Sequence, residues 1–236
     1  MELTINCPDC GKTLKVTVVA EDAPRTEIIR KVATPTTWHE IAEKIKAGKA
    51  REFLSIGDIV PFEMKDGQKV NAVVAGIDIY GENEVVFVTE DCLSDCHAMN
   101  ESSTNAGGWR DSNMREYLNT AVYNLLPDNL KDVIVQRTIR QNLGTKESSS
   151  TDNLWLLSKT EVGLECFTDK DDVCLPLFTD ERSRVKQVNG ETTWYWLRSP
   201  LPSNSSYFHY VGSAGNSGNS MDATNEYGVA FGFLVK

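Results

Sequence analysis

The chain has 236 residues, 40% of them hydrophobic and 25% charged, with a formal net charge of −10. That length suffices for one large domain, or for a domain plus a small appendage, built on a substantial core. The charge argues against a general nucleic-acid binder, since phosphate contacts need a basic stripe and none is present, and no apolar run approaches the roughly 18 residues of a membrane span.

The N-terminus, Met1 to Cys7, lacks the charged and apolar regions of a secretory signal. The expected location is therefore the cytoplasm or a particle assembled there, such as a virion, with the six Cys reduced rather than paired in a disulfide framework. Cys7-Pro8-Asp9-Cys10-Gly11-Lys12 has the form of a zinc knuckle, with two thiolates two residues apart in a tight turn. No second pair follows before Cys92, so two readings stand: a zinc ion held by Cys7 and Cys10, or a degenerate ribbon completed, if at all, by another chain. Thr13 to Ala20 is the accompanying strand.

Thr37-Trp38-His39-Glu40 is a capping box, and Trp38, Ile41, Ala42 and Ile45 follow at helical spacing up to Gly48. From Gly57 the period changes to that of strands. Ile59 to Phe62, Val70 to Ile79 and Val85 to Val88 are separated by the turn sequences Lys65-Asp66-Gly67 and Tyr80-Gly81-Glu82-Asn83, which predicts an antiparallel meander. The boundary between appendage and main domain is placed near residues 50 to 56, giving domains of 1–54 and 55–236.

Cys92, Cys96 and His97 lack a second ligand pair at ribbon spacing and read as ordinary thiols and a histidine. Asp111 or Ser112 caps a helix with Met114, Leu118, Val122 and Leu125 on one face, and Pro127-Asp128 starts another. Leu143 to Asn153 reads as a solvated loop, Leu154 to Leu157 as a buried strand, and Ser158 to Glu161 as a second capping box opening a short helix. Asp169 to Asp172 lacks the Gly and distal Glu of a calcium loop and reads as a solvated acidic turn.

The tail is different in kind. Leu201 to Gly228 holds six Ser, four Asn, four Gly and three Tyr, with no Lys or Arg between Arg198 and Lys236. Tyr offers contact area at little rotamer cost and Ser, Asn and Gly offer adaptable hydrogen bonds, the composition of an antibody combining surface. Apolar, strand-like segments flank it, Trp194 to Pro200 and Gly228 to Val235.

Gly57 to Phe62, Met99-Asn100, Asn105 to Trp109, Met114 to Asn119, Leu125 to Pro127, Leu156 to Ser158, Trp194 to Pro200 and Gly228 to Phe233 occur in one order. Together, over roughly residues 55 to 236, they resemble a domain family common in phage and gut-bacterial proteins, with a C-type-lectin fold similar to the variable proteins of diversity-generating retroelements. The resemblance implies an α+β fold of antiparallel sheets with two or more flanking helices, preceded here by the zinc-knuckle-like appendage. It implies no enzyme activity and makes residues about 194–236 a variable region that binds a protein or cell-surface ligand. Phe208, Val211, Gly215, Ala223 and Gly228 are then the fixed positions. Ser203, Asn204, Ser205, Ser206, Tyr207, His209, Tyr210, Asn219, Ser220, Asp222, Asn225, Glu226 and Tyr227 are the expected contacts, with Trp194 and Trp196 anchored in the core beneath them.

Two other functional classes are compatible with such a chain. A structural or receptor-binding phage component would need no diversification. An enzyme similar to the formylglycine-generating enzymes would need a cysteine pair near its site, and no Cys follows Cys174. The motifs of calcium-dependent sugar binding, Glu-Pro-Asn and Trp-Asn-Asp, are also missing.

Overall fold

A computed structural model describes residues 2–6, 13–17, 37–144, 146–164 and 169–236. The chain divides into two compact units, Met1–Arg30 and Lys31–Lys236. In the first, strands Glu2–Asn6 and Thr13–Thr17 form an antiparallel hairpin with Glu2 opposite Thr17 and Asn6 opposite Thr13. Cys7 and Cys10, the expected zinc ligands, lie outside the described residues.

The second unit is mixed α+β, with mostly antiparallel strands and few helices. Its first helix, Trp38–Lys46, opens on the expected capping box: Thr37 Oγ1 accepts from the Glu40 amide at 3.2 Å, and Glu40 accepts from the Thr37 amide at 2.9 Å. Trp38, Ile41, Ala42 and Ile45 form its buried face. Trp38 stands edge-on to Phe87 at 5.2 Å and to Phe233 at 5.8 Å, and those two rings stack on each other at 5.5 Å. The helix thus packs on the sheet of the larger unit, whereas a boundary near residues 50 to 56 would assign it to the appendage. Amphipathic spacing predicts that a face is buried, but does not name the partner.

The main sheet contains the expected meander, Ile59–Glu63, Lys69–Ile77 and Val85–Thr89, extended by the C-terminal strand Phe231–Val235. Trp155–Leu156 and Ile134–Val135 pair with the other edge of that last strand. Every residue of Val85–Thr89 and Phe231–Val235 is buried. Both faces are covered, which is why these segments read as continuous apolar runs instead of alternating ones.

A second sheet carries the tail, in the order Tyr195–Pro200, Tyr207–Val211, Ser217–Asp222. A third joins Arg137–Asn142, Glu147–Asp152 and Asp169–Lys170. Residues 143 to 153, expected as a solvated loop, instead contribute the strand Glu147–Asp152, with Ser148, Ser150 and Asp152 buried. Its period of two is written in Ser and Asp, so hydropathy does not register it.

The helix begun at Asn113 is capped by Ser112, whose hydroxyl accepts from the Arg115 amide. It passes through a π-helical turn, Leu118–Val122, before ending at Leu125. Within that turn the Asn119 side chain accepts from the Asn153 and Leu154 amides and donates to the Leu154 carbonyl, tying the helix to the Trp155–Leu156 strand. Among the described residues no helix is long and apolar enough to cross a membrane.

Candidate functional site

The tail strand Tyr195–Pro200 rests on a buried ionic group. Arg198 donates to Glu161 and to Asp172, and Arg137 donates to the same two carboxylates at 2.6 Å each. Two guanidiniums and two carboxylates therefore alternate in a closed ring. Glu161 also accepts from the Tyr80 hydroxyl at 2.7 Å and the Ser158 amide at 2.7 Å, while Arg137 lies 3.6 Å over the Tyr80 ring. Burial opposes the Glu161 charge, but Arg198 and Arg137 outweigh it and hold the carboxyl at about 2. Burial pushes Asp172 up instead, to about 6, against the pull of Arg198. No side chain in the ring exposes more than 6% of its surface, so the group acts as a structural bolt.

This corrects the solvated acidic turn expected at Asp169 to Asp172. Asp169 accepts from Gln141 at 2.8 Å and from the Ser199 hydroxyl, and Asp172 closes the arginine ring. The second capping box does form, since Ser158 Oγ accepts from the Glu161 amide at 3.0 Å, but Glu161 is spent on two arginines and the segment continues as turns. The sequence signal was available in principle: buried Arg198 and Arg137 each demand a carboxylate.

Above the bolt, residues 97 to 108 form the seat of the tail loops. The Asn105 amide donates to the carbonyls of Leu201, Asn204 and Tyr207 at 3.2, 2.7 and 2.8 Å. Two hydrogens serve three acceptors, so one is shared. The Asn105 backbone amide donates to Ser205 and the Ser206 hydroxyl to Ser103, at 2.7 and 3.0 Å. Ser103 in turn donates to Asp222, whose carboxylate also accepts from the Thr224 amide and hydroxyl. The short strands His97–Ala98 and Glu226–Tyr227 close the far side.

Each expected fixed position is buried: Phe208, Val211, Gly215, Ala223 and Gly228. Two of them must be glycine for a stated reason. A Cβ on Gly215, which has φ +78°, would lie 1.7 Å from the Glu181 carbonyl oxygen, and one on Gly228 would lie 2.7 Å from Cys92 Sγ.

The expected contact residues divide. Ser203, Ser205, Asn225 and Glu226 are exposed, while Asn204, Ser206, Tyr207, Ser220, Asp222 and Tyr227 are half-buried. The side chain of Asn219 lies outside the described residues. His209 and Tyr210, expected at the surface, are buried, which corrects their assignment as contacts. Their strand is the central one of three and is covered on both faces, so alternation along it does not mark an exposed side. Among the described residues Nδ1 of His209 has no hydrogen-bond partner, and burial, reinforced by Lys159, pushes its pKa down to about 4. At neutral pH it is an uncharged core histidine.

Tyr210 lies beneath Trp194, their rings stacked at 5.4 Å and 22°. Tyr227 meets both, and also Trp196 at 4.7 Å. Of the two tryptophans expected in the core, Trp196 is fully buried and donates from Nε1 to the His97 carbonyl, whereas Trp194 is 43% exposed. Trp194 thereby forms the wall of a shallow cavity of about 280 Å³ lined also by Thr192, Thr193, Ser213 and Tyr227. Position signals this: Trp194 precedes the strand, beyond the reach of the layer that covers Trp196.

The three histidines stand apart in their surroundings. His39 pairs with Asp132 at 3.5 Å, His97 packs on Tyr117 at 3.9 Å, and His209 is sealed in the tail sheet. Burial pushes the Cys92 thiol up to about 12, and Cys96 is exposed.

Residues 83–236 match the family model of a domain of unknown function, DUF6273, and the chain belongs to that family. The match opens just before the Val85–Thr89 strand and runs to the end, so it takes in Arg137, Glu161, Asp172, Arg198 and the whole tail. No curated protein and no solved structure matches the chain.

Proposed function

We propose that this chain is a binding protein of C-type-lectin-like fold whose C-terminal surface recognises a protein or cell-surface target, diversified in the manner of retroelement variable proteins. The observation that carries the reading is a separation of roles within the tail. Position-holding bonds come from Asn105, Ser103 and Arg198 outside the loops, from the backbone, and from Asn204, Ser206 and Asp222 within the tail, while Ser203, Ser205, Asn225 and Glu226 are exposed. Exchange at Ser203, Ser205 and Glu226 leaves those bonds untouched, and exchange at Asn225 removes one exposed bond to the Asp222 carbonyl at 3.2 Å, which is what a surface selected case by case requires. Tyr207 and Tyr227, half-buried, supply aromatic anchors at its margin.

Pairing of the early strand Val85–Thr89 with the C-terminal strand Phe231–Val235, and the helical segments Trp38–Lys46 and 113–125 beside antiparallel sheets, support the lectin-like part of the reading. Sequencing the surrounding locus tests the diversification part. An adenine-rich second copy of the Trp194–Lys236 coding segment beside a reverse-transcriptase gene is the expected result, and a locus with neither would remove diversification and leave a binding protein of fixed specificity.

A further inference from the structure

The exposed indole of Trp194 was not among the expected contacts, and its surroundings describe a ligand. The ring stacks on Tyr210 and stands roughly perpendicular to Tyr227 at 5.5 Å, which fixes its plane. The residue is 43% exposed and lines the cavity of about 280 Å³. Small-molecule sites start at about 300 Å³, so this one holds a single ring-sized group whose continuation stays in solvent.

Every other residue lining the cavity carries a hydroxyl: Thr192, Thr193, Ser213 and Tyr227. Among the described residues neither the Thr192 nor the Ser213 hydroxyl is engaged by another protein group. A hydroxyl both donates and accepts. None of the five residues is charged, the flanking chain contributes Glu191 and Glu226, and no Lys or Arg lies between the buried Arg198 and Lys236. Lys186, opposite Thr193, and Arg184, on the Gly215 carbonyl, are buried and donate to main-chain carbonyls, so an anionic ligand would meet no charged side chain in the lining.

We infer that Trp194 is the stacking shelf of a neutral saccharide site. A pyranose ring presents a face of C–H groups and a rim of hydroxyls. The C–H face, slightly positive, fits the negative face of an indole and buries apolar surface on it, while the rim hydroxyls exchange hydrogen bonds with Thr192, Thr193, Ser213 and Tyr227. A proline-rich peptide also stacks on tryptophan, but its backbone there offers acceptors alone and leaves the acceptor capacity of the four hydroxyls unused. Because the Trp194 ring is already held by Tyr210, little side-chain freedom is lost on binding. The site deepens the reading of the tail as a binding surface by naming a ligand class for one edge of it, and it rests on that reading.

Trp194 is also its own reporter. The other four tryptophans, Trp38, Trp109, Trp155 and Trp196, are at most 4% exposed, so a ligand-induced change in tryptophan fluorescence arises chiefly from Trp194. The full chain is titrated with neutral trisaccharides of glucose, mannose, galactose and N-acetylglucosamine, with a sialylated trisaccharide and a proline decapeptide as controls. At least one neutral sugar should give a saturable change with a Kd on the order of 1 mM. Trp194→Ala, read by calorimetry or NMR, should weaken it by about tenfold or more. Trp194→Phe should restore part of the affinity, and Thr192→Val should lower it without shifting the melting temperature. Binding of the decapeptide in place of every sugar, binding of no sugar at millimolar concentration, or an affinity unchanged in Trp194→Ala would each overturn the shelf. A sugar-negative chain whose randomised tail loops still yield binders to a protein target would overturn the shelf alone and leave the display reading standing.

Discussion

The side-chain amide of Asn105 donates to the carbonyl of Asn204 across 2.7 Å, joining the seat of the tail to the tip of its first loop. With the bonds to Leu201 and Tyr207 it holds both ends and the middle of one polar loop from a single point. Asn105→Ala should take from the Asn204 carbonyl its side-chain donor and from the Leu201 and Tyr207 carbonyls, which keep the Asn204 and Leu201 amides, their second one, and cost about 1–3 kcal/mol. Hydrogen exchange localises the effect: amides of residues 201–207 should lose protection while those of Phe231–Val235 keep theirs. Uniform loss throughout the domain would mean that Asn105 supports the fold at large instead of this loop.

The arginine ring predicts an asymmetry between removing one partner and removing a surface charge. Arg198→Met leaves Glu161 and Asp172 sharing Arg137 in a dry interior, and breaking a buried pair in this way costs about 3–5 kcal/mol. Arg110→Ala, beside the exposed Asp111, should leave the urea midpoint unchanged. Equal midpoints for Arg198→Met and the parent chain would show that the ring contributes nothing net.

His209 makes stability depend on pH in a stated direction. Its pKa is near 6.5 in the unfolded chain and is depressed to about 4 in the fold. Between those values the unfolded chain binds the extra proton, so the folded state loses stability as pH falls from 6.5 toward 4. His209→Phe removes the titrating group. The difference in unfolding free energy between His209→Phe and the parent chain should therefore grow in favour of the variant across that window and be flat above pH 7.

The two tryptophans of the tail strand should separate cleanly. Trp196→Ala empties a fully buried site and should cost about 3–5 kcal/mol, whereas Trp194→Ala and Tyr207→Ala should leave the melting temperature nearly unchanged. A Trp194→Ala loss as large as that of Trp196→Ala would assign Trp194 to the core.

What could be read in the sequence follows from where the signal is local. The capping box at Thr37, the cap at Ser112 and the meander from Ile59 to Val88 depend on neighbours within a few residues, and all are found in the fold. Long-range pairing left no such mark. The polar strand Glu147–Asp152 hides because Ser148, Ser150 and Asp152 are buried by hydrogen bonding, as when Asp152 accepts from Trp109 Nε1 at 2.9 Å. Asp172 reads as a solvated acid until Arg137 and Arg198, distant in sequence, are brought against it. At the candidate site, glycine and apolar positions were legible because steric demand is intrinsic to the residue. His209 and Tyr210 were not, because both faces of their strand are covered, Tyr210 by Trp194 and Tyr227 from elsewhere in the chain, and the sequence shows no sign of that packing.

A display surface requires that the tail loops vary without cost to the scaffold. A library randomised together at Ser203, Ser205, Asn225 and Glu226, displayed on a cell surface and probed for folding by protease resistance, measures that claim in one experiment. Most members should resist protease as the parent chain does, and the library should yield binders to an arbitrary protein target. A matched library at Phe208, Val211 and Ala223 should be largely degraded. Widespread degradation of the first library would contradict a display role for the tail, because the loop side chains would then be holding the fold and not displayed by it.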